Sequence, residues 1–106
     1  MDFSKIIERA KEVRALYADL ETKKYGRQWT ASEIVQGFVG DVGDLIKLEM
    51  SKEGIRDMEN VDEKLKHELC DCLWSVLILA DKFGINLEES FTASMNSLEK
   101  RIKDNV

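Results

Sequence analysis

The sequence has no proline, six glycines, two cysteines and a single histidine among its 106 residues. So few turn-forming residues exclude a sandwich or barrel of many short strands, and the abundance of Ala, Leu, Glu, Lys and Met favours helix. The lone histidine, His67, cannot supply the paired Glu-x-x-His motifs of a di-iron bundle, and no serine or cysteine nucleophile motif accompanies it. There is no glycine-rich phosphate loop. Cys70 and Cys72 would point about 200° apart on a helix, so they are not expected to pair or chelate together. They read as reduced, buried thiols of a cytoplasmic protein. The longest apolar stretch, Cys72 to Ala80 broken by Ser75, is far short of the roughly 20 residues a membrane span needs. Met1-Asp-Phe-Ser-Lys5 carries no basic segment leading into an apolar run, so no signal peptide is expected. Basic residues number 16 against 21 acidic ones, a net charge of -5. Such a chain is poorly suited to gripping a nucleic acid polymer through its phosphates, although divalent cations can seat a small polyanion over acidic side chains.

What is present is amphipathic helix. Phe3, Ile6, Ile7, Ala10, Val13, Leu16, Tyr17 and Leu20 recur with the helical period, and Lys23, Lys24 and Gly26 mark the end of that helix. Thr30-Ala-Ser-Glu33 reads as a capping box opening a second helix to about Met50. Asp62 is the expected N-cap of a third, ending at Phe83-Gly84. Asn86-Leu-Glu-Glu89 opens a fourth, with Phe91, Met95, Leu98 and Ile102 on one face. The expected fold is all-α, a single four-helix bundle-like domain over residues 1–106. The third helix is apolar on nearly every side from Leu69 to Ala80, and a chain of this size buries too little surface alone. A homo-oligomer with that helix near its centre is therefore expected.

Two acidic pairs stand out. In the second helix the apolar stripe runs through Ile34, Val35, Phe38, Val39, Val42, Leu45 and Ile46. At about 100° per residue, Asp41 and Asp44 fall together at its edge. On the third helix Glu68 and Asp71 lie on one side, with Ser75 next along the same line. Unneutralised acids at i,i+3 repel, and four carboxylates from two packed helices suit a hard cation, Mg²⁺ or Mn²⁺. Gly37, Gly40 and Gly43 recur inside the second helix, each costing roughly 1 kcal/mol against Ala. They imply a close approach to the backbone there, by a neighbouring helix or a ligand. Trp29, in the loop before the carboxylate helix, is placed either to stack on a nucleobase or to staple the helix. Trp74 is expected in the core or at a subunit interface.

The first motif reads Phe38-Val-Gly-Asp41-Val-Gly-Asp44-Leu-Ile-Lys-Leu and the second His67-Glu68-Leu-Cys-Asp71-Cys-Leu. Together with the segment around Ala80 to Gly84, they resemble the MazG-like all-α nucleoside triphosphate pyrophosphohydrolases over about Trp29 to Ile102. The resemblance implies cleavage of an NTP or dNTP to the monophosphate and pyrophosphate. Asp41, Asp44, Glu68 and Asp71 would hold Mg²⁺, with Glu68 and Asp71 catalytic. It also implies a homodimer or homotetramer. The chain departs from the family in having aspartates for the glutamates of the first motif. In the helix-four pattern Lys-x-x-x-Asn-x-x-Arg, it has Ser94, Leu98 and Arg101. Arg101, Lys47 and Arg27 are the candidate phosphate contacts, and Trp29 the candidate base contact. The alternative is a non-catalytic helical oligomer that binds a nucleotide or a protein partner.

Overall fold

The computed structural model describes residues 2–55 and 57–105. Its described residues form four helices, α1 (Phe3–Tyr25), α2 (Ala31–Lys52), α3 (Val61–Lys82) and α4 (Leu87–Asp104), and no strand. The fold is all-α. The connector between α2 and α3 contains Arg56, which lies outside the described residues.

Local chemistry sets most of the boundaries. The Asp2 side chain accepts from the backbone N–H of Lys5 to start α1, and Gly26, at φ 77°, closes it in the left-handed conformation that glycine adopts at no steric cost. The expected capping box of α2 is present in full: Thr30 accepts from the Glu33 N–H while the Glu33 side chain accepts from the Thr30 N–H. Arg27 clamps the same carboxylate at 2.6 and 3.0 Å. This guanidinium contact and the backbone bond hold the Glu33 carboxyl down at about 2. Asn86 caps α4 as expected. The start of α3 differs. Its cap is Asn60, left-handed at φ 54° and without a side-chain cap bond. Asp62 sits inside the first turn and pairs with Lys52 at 2.8 Å, tying the end of α2 to the start of α3.

The core lies where α1 and α2 meet α3. Ala10, Ile34, Leu77 and Ile78 are buried together, with Phe3, Ile6, Ile7, Trp74, Leu79 and Leu87 packed around them. The α2 stripe divides in two. Ile34 is buried, as is Leu48 further along the same side. The outer half stays open, with Val39 and Ile46 at 64% and 57% exposure. The packed side of α2 is thus the side that carries Asp41, not the centre of the apolar stripe. On α3, Ser75, Leu77, Ile78 and Ala80 are buried, but Leu69 and Leu73 remain half exposed. The encirclement of α3 expected from its composition is therefore incomplete within one chain. Cys70 is exposed and Cys72 half-buried, so the expected pair of buried thiols is corrected; both thiols are free.

No residue of α4 is buried, and Phe91, Met95, Leu98 and Ile102 form an open apolar row along it. The radius of gyration, 17.0 Å, exceeds the roughly 13 Å of a compact chain of this length. Among the described residues no helix is long and apolar enough to cross a membrane.

Candidate active site

The packing of α2 on α3 brings Asp41, Asp44 and Glu68 together. Each offers a carboxylate oxygen, and these oxygens lie within 4.8 Å of one another. Asp71, the fourth expected ligand, stands outside that trio. Its carboxylate lies 3.1 Å from Nε2 of the exposed His67, and it shares a cleft wall with Asp41. The electrostatic consequence is concentrated on Glu68. Burial first, then contact with Asp41 and the charges of Asp41, Asp44 and Asp71, push its carboxyl above the usual range. Burial, then the charges of Asp41, Glu68 and Asp71, raise the Cys72 thiol. Among the described residues no lysine or arginine forms an ion pair with Asp41, Asp44 or Glu68. An all-oxygen donor set carrying uncompensated negative charge fits a hard divalent cation.

A cleft of about 480 Å³ opens beside this trio, between α1 and the α2–α3 pair. Asp41 and Asp71 stand in its wall, and Tyr17, Tyr25, Trp29 and Trp74 supply aromatic surface. Trp74 is fixed by donation from Nε1 to the Ala10 carbonyl at 3.1 Å and by a tilted contact with Tyr17 at 5.6 Å. Trp74 and Ser75 both border this cleft. Trp29 is held by its backbone: its N–H donates to Glu21 at 2.8 Å. Glu21 is 5% exposed and takes both arms of the Arg14 guanidinium at 2.8 and 2.7 Å.

The three α2 glycines do not face the expected close neighbour. Nothing lies within 4 Å of where a Cβ would stand on Gly37, Gly40 or Gly43, and Gly37 opens onto the cleft. Lys47 lies on the other flank of the acids, lining a second hollow with Asp44, His67 and Glu68. Arg27 is committed to Glu33. Arg101 borders a shallow groove along α4 with Ser94 and Leu98, apart from the cleft. Sequence reasoning missed Arg14, Tyr17 and Glu21 as cleft residues, because only the seating of α1 reveals them.

Residues 39–106 match the family model of the MazG nucleotide pyrophosphohydrolase domain. The chain belongs to the MazG family. The matched segment contains both acidic pairs and Trp74, while Tyr17, Tyr25 and Trp29, the other aromatic residues of the cleft, precede it. No curated protein and no solved structure gives a significant match. Membership of the MazG family carries nucleotide pyrophosphohydrolase activity as its general chemistry.

Proposed function

We propose that this MazG-family chain is an Mg²⁺-dependent nucleoside triphosphate pyrophosphohydrolase of the cytoplasm. It cleaves an NTP or dNTP to the monophosphate and pyrophosphate. The supporting observation is the convergence of Asp41, Asp44 and Glu68 beside an aromatic cleft. These three carboxylates, joined by Asp71, hold the cation, with Mn²⁺ able to replace Mg²⁺. When bound, the metal neutralises triphosphate charge and lowers the pKa of a water. Glu68 and Asp71 orient the attacking water and accept its proton at their carboxylate oxygens. Trp29 stacks on the base, and Lys47 reaches the phosphates from the outer flank. Incubation with a panel of NTPs and dNTPs in Mg²⁺ is expected to release pyrophosphate and a monophosphate. A folded, metal-loaded protein that cleaves none of them overturns the reading.

The active form is a homodimer or homotetramer. The open halves of the α2 and α3 stripes and the α4 row leave many apolar side chains uncovered, and a second copy of the chain would cover them. Arg101 contributes to phosphate binding only if the α4 of a second copy brings it to the cleft. Sedimentation velocity at micromolar concentration is expected to give a dimer or tetramer mass; a monomer refutes the assembly.

The second reading is a helical oligomer that binds nucleotide without cleaving it, favoured by the position of Arg101 away from its own cleft. It predicts that nucleotide raises the melting temperature while no pyrophosphate appears.

A further inference from the structure

Ser75 is a polar residue only 5% exposed. It lines the aromatic cleft, and its hydroxyl has no hydrogen-bond partner among the described residues. The hydroxyl is open to the cleft, since no fully enclosed side-chain oxygen or nitrogen lacks a partner. A nearly buried hydroxyl facing an open hollow bonds whatever fills the hollow, water when the cleft is empty and a ligand group when it is occupied.

Its position along α3 defines that ligand group. Ser75 follows Asp71 by four residues, about one helical turn or roughly 6 Å. Gly37 precedes Asp41 by the same interval on α2 and borders the same cleft. The pair Gly37 and Ser75 thus forms the next layer of the cleft beyond the carboxylates. In a nucleotide held with its phosphates at the carboxylates, the sugar follows the α-phosphate by a few bonds and falls at this layer. The absence of a side chain at Gly37 leaves open space for it. Two other sets of polar groups lining the cleft are already engaged. The indole N–H of Trp74 is spent on Ala10, and Glu21 and Arg14 satisfy each other. We propose that the Ser75 hydroxyl is the specificity contact that hydrogen-bonds a sugar hydroxyl of the substrate nucleoside.

This assignment rests on the pyrophosphohydrolase reading and is tested within it. The rates of ribo-, 2′-deoxy- and 2′,3′-dideoxynucleoside triphosphates bearing one base are compared for wild type and Ser75→Ala. Alanine is the better helix former, so the fold is not at risk. Wild type is expected to lose roughly tenfold in kcat/KM, mostly through KM, at the step where the contacted hydroxyl is removed. The step identifies which hydroxyl is bound. Ser75→Ala is expected to lack that step and to match wild type on the analogue without the hydroxyl. A wild-type series with no step, or a step of equal size in Ser75→Ala, overturns the assignment and leaves the hydrolase reading intact. Failure of wild type to cleave any of the three nucleotides overturns both.

Discussion

Glu68→Gln is expected to lower pyrophosphate release by about 10³-fold or more, since loss of several kcal/mol of transition-state stabilisation corresponds to at least that factor. The substitution keeps the shape of the side chain and removes the charge that lies in contact with Asp41 and close to Asp44. The same change has an opposite effect on the metal-free fold. Neutralising one member of a crowded acidic group relieves repulsion, so the variant should melt slightly above wild type in chelator. It should also lose most of the stabilisation that Mg²⁺ gives wild type. Parallel melting curves with EDTA and with Mg²⁺, beside a pyrophosphate assay, check both halves. Equal activity in the variant would remove Glu68 from the catalytic role. A lower melting temperature in chelator would show that its charge stabilises the helix pair.

The second large effect concerns Glu21, on the α1 side of the cleft. Its side chain is 7% exposed and that of Arg14 12%. Removing one partner of a pair this buried leaves the other charge without its counter-ion. Glu21→Ala is therefore expected to cost about 3 kcal/mol, a fall in Tm of roughly 15 °C. Arg14→Ala should cost a similar amount, and the double variant less than the sum. The Arg14 guanidinium beside Glu21, with help from the Trp29 N–H, holds this carboxyl below the usual range. Its contribution is complete above the ordinary carboxylate pKa. It fades as pH falls through the lowered folded value, so acid should narrow the gap between wild type and Glu21→Ala. Denaturant titrations at neutral and acidic pH measure that narrowing. Because Glu21 also anchors Trp29, KM for nucleotide should rise in Glu21→Ala even where the protein stays folded.

The four helices were legible because their signals are local. Capping side chains at Thr30 and Asn86, a terminal glycine at Gly26 and the helical period each act within one or two turns. The cap of α3 was not legible. Asn60 takes a left-handed conformation with no side-chain bond, while Asp62, the better capper by composition, is drawn off by Lys52 across the connector. The Asp41, Asp44 and Glu68 trio followed from spacing, since the acids of each helix share a side and α2 packs on α3. The rotation of α2 was harder to foresee. The apolar arc of this helix is wider than one neighbour covers, and its inner edge, bearing Ile34 and Asp41, faces α3. The cleft depends on where α1 crosses α3, which no single helix encodes. Arg14, Tyr17 and Glu21 consequently look like ordinary members of an amphipathic helix until that crossing is known.

The open face of α4 bears on how the chain acquires its order. Eighteen residues are close to the length at which a lone helix in water is only marginally populated. Beyond Leu87, which packs on the core, the row from Phe91 to Ile102 stays open and supplies little tertiary reward for closing its turns. Its backbone amides should thus exchange with solvent ahead of those in α2 and α3, and any body that shelters the row would slow that exchange. The last segment to become rigid is in this sense governed by company, whereas the acid-bearing pair is held by its own packing.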